Sequence, residues 1–184
     1  MLIRILPIKY ISLNLLQKFC KELEASINVR CKILPQIKYI DSAFNALRRQ
    51  YDASKIIDII ASTNEGKFID KSIPTIGITE EDIYYKGLNF VFSIEEPENA
   101  CSVISIARLK PEFYDQKPNN MILIDRIVKE AMHEIGHHIG LNHCKHIFCI
   151  MSPSPSAKDI DIKRREFCRN CKINMAMKGI NIDL

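Results

Sequence analysis

No stretch of this 184-residue sequence stays apolar for the ~18 residues that a membrane-spanning helix needs. The apolar opening, MLIRILPIKYI, is broken by Arg4, Pro7 and Lys9, and no small-residue cleavage site follows it. That argues against a secretory leader and for a cytoplasmic protein with no membrane partner. Internal repeats and low-complexity segments are also missing. Charge of one sign is scarce: 26 Lys and Arg against 22 Asp and Glu leave a net charge of +4. So mild an excess does not by itself argue for nucleic acid.

The composition that remains, 47% hydrophobic and 26% charged, is that of a globular protein. The length predicts a single domain over 1–184, large enough to bury a real core. Cysteine is plentiful, and the count of seven is odd. In a reducing compartment clustered cysteines point to metal more often than to disulfides. Cys20, Cys31 and Cys101 stand apart in apolar patterns and read as core thiols.

Hydrophobic periodicity predicts the order β-α-β-α-β-β-β-α followed by a cysteine-rich tail. Strands are expected at 2–8, 28–35, 73–79, 89–95 and 101–108. Ser12 caps a helix carrying Leu16, Phe19, Cys20, Leu23 and Ile27 at helical spacing, and Asp52 caps a second with Ala53, Ile56, Ile57 and Ile60 on one stripe. Residues 110–118 read as a polar connection. Alternating strands and helices imply an α/β fold whose sheet is mostly parallel, and the close pair at 89–108 implies an antiparallel edge strand.

A long helix follows, capped by Asn119 or Asn120 and running to about Gly140. Winding at ~100° per residue puts Ile124, Ile127, Val128, Ala131, Ile135 and Ile139 on one face, with Arg126, His133 and His137 roughly opposite. Residues 133–143 spell H-E-x-x-H-x-x-G-x-x-H. Histidines at i and i+4 are neighbours on a helix surface and can converge on one ion. Gly140 can turn the chain back, so that His143 supplies a third nitrogen. Three protein ligands leave a fourth position for water, which is the character of catalytic zinc. His138 falls near the apolar face and reads as a packed side chain, and His146 as an exposed one.

Cys144-x4-Cys149 and Cys168-x2-Cys171 form two pairs separated by an eighteen-residue loop. Four cysteines so arranged make a closed structural zinc site, here a C-terminal module over 144–171. Two zinc ions per chain are therefore expected. His143 and Cys144 are consecutive, which predicts that one short segment serves both ions.

The H-E-x-x-H-x-x-G-x-x-H pattern is that of metzincins. With Cys144 directly after the third histidine, then Cys149-x-Met151 and the distal C-x-x-C, the chain resembles the archaemetzincins. Segments 48–54 (RRQYDAS), 87–92 (GLNFVF) and 106–109 (IARL) carry the resemblance along most of the chain. Sixteen residues separate Met151 from Cys168, one fewer than the family spacing, which leaves the path of 152–167 open. The resemblance implies a compact metzincin-like domain, a twisted sheet above the active-site helix, Met151 as an apolar floor, and 89–95 as the edge that receives substrate.

Peptide hydrolysis by a zinc-activated water, with Glu134 as general base, follows as the expected activity on a peptide or protein substrate. The competing expectation is a zinc-containing peptide-binding module with little turnover. Lys163, Arg164, Arg165, Arg169 and Lys172 surround the distal cysteines. They are read as offsetting thiolate charge rather than as a nucleic-acid surface. A monomer is expected.

Overall fold

Alternation of apolar residues along the first strand sets the layering of the fold. In a computed structural model, which describes residues 1–63 and 73–180, Leu2–Ile8 forms β1. Ile3 and Ile5 enter one core, while Leu6 and Ile8 enter a second core on the opposite face. The chain continues through α1 (Leu13–Ser26), β2 (Arg30–Ile33), the short β3 (Phe44–Asn45) and β4 (Gln50–Asp52), and α2 (Ala53–Thr63). After β5 (Thr75–Thr79) and the short β6 (Ile83–Tyr84) come β7 (Ser93–Glu96) and β8 (Cys101–Ser105). The long α3 (Asn120–His138) and two short helices, α4 (Ala157–Ile162) and α5 (Arg169–Met177), complete it.

The main sheet has five strands in the order β2-β1-β5-β8-β7. Its neighbours are parallel except for β7, which runs antiparallel to β8 at the edge. This is the mixed, mostly parallel sheet expected. Every residue of β5 and β8 is buried, as strands covered on both faces must be. α1 and α3 pack together over one face, and α2 covers the other. The Ser12 side chain caps α1, and Asp52 Oδ1 accepts from Ser54 N and Lys55 N at 3.0 and 3.4 Å to open α2. Among the described residues no helix is long and apolar enough to cross a membrane.

Several expectations need correction. The strand expected over 89–95 is regular only from Ser93. Residues 88–89 are instead pinned from outside the sheet: Arg48 Nη2 donates to the carbonyls of Leu88 and Asn89, both at 2.9 Å, and Gln50 Nε2 to Asn89 at 3.0 Å. Arg48 precedes, and Gln50 begins, β4 of a second, three-stranded sheet in the order β3-β4-β6. Strands of two or three residues are too short to show alternation in sequence. The strand expected to reach 108 stops at Ser105, whose hydroxyl accepts from Ala107 N at 3.2 Å and turns the chain. The 110–118 connection holds a 3-10 turn at Pro111–Tyr114. The loop between the cysteine pairs contains α4, opened by reciprocal bonds between Ser156 and Asp159. Cys31 is half-exposed rather than buried.

One helix position is set by contact. A Cβ on Gly136 would lie 2.2 Å from Met151 Sδ, 3.0 Å from its Cε and 3.2 Å from Phe167 Cε1. Met151 and Phe167 are buried, so neither can move aside freely. Gly136→Ala is expected to destabilise the protein by about 1–3 kcal/mol despite alanine's better helix propensity, because overpacking outweighs it. Chemical denaturation measures this; a variant as stable as the parent would mean that the Met151 contact is slack.

Candidate metal centre

α3 carries the site because both of its ends are fixed. Asn119 Oδ1 accepts from Met121 N and Ile122 N at 3.0 and 3.2 Å. At the other end Gly140 takes φ +82°. Gly140 N donates to His137 O at 2.7 Å and Leu141 N to Gly136 O at 2.9 Å. Those two bonds, with glycine in the left-handed region, form a Schellman stop. The chain doubles back there and brings His143 toward the helix.

The same turn orders an imidazole. His137 Nδ1 lies 2.9 Å from Leu141 O, and His133 Nδ1 lies 2.9 Å from Ile150 O. A carbonyl can only accept, so both Nδ1 atoms carry protons and both Nε2 atoms present lone pairs. The two Nε2 atoms are 3.0 Å apart. Two lone pairs that close repel unless a metal ion or a shared proton lies between them. His143 stands with them: its ring centroid is 5.2 Å from that of His133 and 4.9 Å from that of His137. One nitrogen from each ring falls within 4.8 Å of the others. Burial holds all three rings below the ordinary histidine range, and the positive charge of Lys163 lowers them further. Neutral rings are the form that binds metal.

Glu134 lies beside these rings in a cleft of about 790 Å³ whose walls include residues 88–95, Pro153, Ser154 and Pro155. Its Oε1 accepts from Ser93 Oγ at 2.5 Å, and its Oε2 is buried with no hydrogen-bond partner. Burial pushes the carboxyl up to about 8, helped by the charges of Glu130 and Glu95 and opposed by the Ser93 bond and Lys163. Glu95, also in the cleft, is raised to about 7 by burial.

Cys144, Cys149, Cys168 and Cys171 form the second group, all four sulfurs within 4.8 Å of one another. Cys144 Sγ is 3.6 Å from Cys168 Sγ, and Cys149 Sγ is 3.7 Å from Cys171 Sγ. In a tetrahedron, zinc–sulfur bonds of about 2.3 Å set sulfurs about 3.8 Å apart. The cluster therefore fits a closed four-thiolate site. Backbone N–H groups support it: His146 N donates to Cys144 Sγ at 3.4 Å and Cys168 N to Cys149 Sγ at 3.3 Å. Burial raises the Cys149 thiol, whereas donors from Cys171 and Cys144 overcome burial at Cys168 and bring it down to about 7. The two groups share a strap. Cys144 N donates to Met151 O at 2.8 Å, one residue beyond the Ile150 carbonyl that holds His133.

The other residues singled out in the sequence divide. Met151 is fully buried against Gly136 of the histidine helix. His138 is half-buried, and His146 is exposed with its ring 5.8 Å from Phe148. Arg126 does not face the cleft; its guanidinium is buried in a fork on Asp161 and donates to Leu109 O. The basic run expected to offset thiolate charge splits as well. Arg164, Arg169 and Lys172 lie beside Cys149 and Cys168, but Arg165 pairs with Asp125 and Glu22, and Lys163 with Glu130. Sequence reasoning missed Ser93, Glu130 and Glu95. Only their position, four residues before Glu134 or on the edge strand, hinted at a place near the helix.

The sequence model of peptidase family M54 matches residues 10–177. The archaemetzincin of Methanocaldococcus jannaschii is 39% identical over 172 residues, covering 91% of this chain and 89% of that one. That of Saccharolobus solfataricus is 37% identical over 173 residues, covering 93% and 91%. Among solved structures, a zinc-dependent peptidase from Methanocorpusculum labreanum superposes with a TM-score of 0.84 at 28% identity, over 94% of this chain and 99% of that one. The Archaeoglobus fulgidus archaemetzincin, crystallised with malonate, gives 0.78 at 34% identity, over 97% and 99%.

The depressed rings generate a direct test. In metal-free protein, His133, His137 and His143 should titrate below about 6.5, the value of an unperturbed histidine. Because folding lowers these values, protons bind more readily to the unfolded chain, and acidification below about 6.5 should destabilise the metal-free site. Nuclear magnetic resonance of the ring protons reads the midpoints; values above the unperturbed one would contradict the burial argument.

Proposed function

This chain belongs to peptidase family M54 and is a zinc metallopeptidase; from that premise we propose that Glu134 is the general base of a single-step peptide hydrolysis at zinc held by His133, His137 and His143. The observation that carries the reading is the pair of Nε2 atoms 3.0 Å apart on the cleft that Glu134 also lines, with Oε2 of Glu134 unpartnered. Zinc held by these three rings would supply a Lewis acid for the attacking water and the scissile carbonyl. Glu134 Oε2 takes the proton of the attacking water and returns it to the leaving amine. No covalent intermediate forms on the protein.

The free edge of β7 fits an extended peptide added as a further strand, its backbone bonded to Ser93–Glu96 and its side chains set alternately into and out of the cleft. We assign Cys144, Cys149, Cys168 and Cys171 to a second, structural zinc, giving two ions per chain. The protein is proposed to work as a single-domain monomer in the cytoplasm on peptide or protein substrates. Pairing of Lys163 and Arg165 with carboxylates weakens the basic run as a nucleic-acid surface.

Glu134→Gln keeps the shape and removes the base. It should retain zinc and lose about 10²–10⁴-fold in turnover on quenched fluorescent peptides that the parent cleaves. A chelator should abolish the parent's activity. Full turnover in Glu134→Gln would assign the proton to another group, and binding of peptides without chelator-sensitive cleavage would favour the peptide-binding module.

Adjacency of His143 and Cys144 generates a further expectation. Cys171→Ser touches no histidine, yet it should release the structural ion and, by loosening Cys144, weaken zinc at the histidines by about 10–100-fold. Metal analysis of the parent should return two zinc ions, the histidine-held one yielding first to mild chelation. A Cys171→Ser variant that lost one ion and held the other as tightly as the parent would end the coupling idea.

A further inference from the structure

Behind Glu134 lies a row of polar groups for which the hydrolysis just described has no use. Ser93, the first residue of β7, sits between two glutamates one helical turn apart on α3. Its Oγ is 2.5 Å from Glu134 Oε1 and 2.9 Å from Glu130 Oε2. Beyond Glu130 stands Lys163, whose Nζ is 3.6 Å from Glu130 Oε1, too far for a hydrogen bond but close for an ion pair. The lysine and glutamate side chains are 1% and 4% exposed. A strand and a helix therefore meet on one hydroxyl, with the segment after α4 behind Glu130.

A hydrogen count says what the row does. A serine hydroxyl donates once, so it cannot donate to both carboxyl groups at the same time. The shorter contact, to Glu134, is the natural one for its hydrogen. The contact to Glu130 is then a hydrogen bond only if Glu130 carries a proton and donates it to Ser93. Burial favours the protonated form of Glu130, which makes that donation possible. The row then reads Glu130 to Ser93 to Glu134 with every hydrogen pointing toward the cleft. A chain of this kind polarises along its length in a site of low dielectric.

Resting on the assignment of Glu134 as the base, we propose that Ser93, backed by the buried Glu130–Lys163 pair, is a positioning residue that ties Oε1 of Glu134 so that Oε2 alone exchanges the proton with substrate. Glu134 is on a helix, and its carboxyl would otherwise turn about its last torsion, where the barrier is low. With Oε1 held from β7, the unpartnered Oε2 is the oxygen left to exchange a proton. The hydroxyl hydrogen stays on Ser93 throughout, and the proton that Glu134 takes from water leaves on the amine. No atom is left unbalanced.

The test uses the zinc-loaded protein and acetohydroxamic acid, a small chelator that binds zinc through two oxygens and passes its acidic proton to a neighbouring carboxylate. Titration calorimetry gives its affinity, and metal analysis gives the zinc content. Ser93→Ala should keep its zinc and bind the probe about 10–100-fold more weakly, the loss usual when a partner behind a site residue is removed. Ser93→Thr, which restores a hydroxyl, should return most of that affinity. Glu134→Gln serves as the control and should bind weakly. If Glu134→Gln bound as tightly as the parent, the base assignment itself would fall, and this inference with it. If Glu134→Gln were weak while Ser93→Ala matched the parent, only the role of Ser93 would fall. Loss of zinc in Ser93→Ala would likewise overturn it, since the serine would then serve the fold rather than the carboxyl.

Discussion

Two backbone carbonyls set the geometry of the histidine cluster. Leu141 O and Ile150 O each take the ring proton of a helix histidine, and only then do two Nε2 lone pairs converge. Without those acceptors each ring could flip or change tautomer, and the spacing of the histidines would guarantee nothing. Much of the C-terminal half exists to place the two carbonyls. The stop at Gly140 supplies Leu141. The strap at 144–151, tied by Cys144 N to Met151 O and by Ile150 N to Glu166 O, supplies Ile150. A cysteine cluster that fits zinc holds that strap from behind, so the second group of ligands is part of the geometry of the first.

Burial on this scale sets the electrostatics. Glu95, Glu130 and Glu134 crowd one cleft with a single lysine among them. Taking so many carboxyl groups out of water favours their neutral forms, which is why all three are raised. Burial of the lysine works the other way and lowers it, against the pull of Glu130 and Glu134. A divalent cation at the histidines would relieve the same crowding. Acidic floor and cationic centre thus belong to one balance of charge, with Lys163 holding part of it when no metal is near.

How much of this the sequence disclosed follows from the range of each signal. Helix caps and periodic faces act over a few residues, so Ser12, Asp52, Asn119 and the buried stripe of α3 were legible. So was the gathering of these histidines and cysteines into two groups, because cysteine and histidine at fixed intervals are rare by chance. Contacts across the fold were not. Nothing near Arg48 announces that it grips a loop forty residues later, and nothing in the run KRRE tells buried Lys163 from its exposed neighbours. Gly136 reads as a helix-weakening residue until Met151 is seen pressed against it. The Ile150 carbonyl could not have been read at all, since every residue has one.

The edge strand has a consequence for how copies of this protein meet. β7 is only four residues long, and its sequence, SIEE, ends in two acids. A sheet edge is an open invitation to any strand, and the commonest intruder is an identical one. Laid parallel and in register against its own twin, β7 would set each glutamate beside its copy, and such pairing is disfavoured. A neutral or basic guest meets no such barrier. The rim that fits a foreign chain is thereby a poor match for a parallel copy of itself.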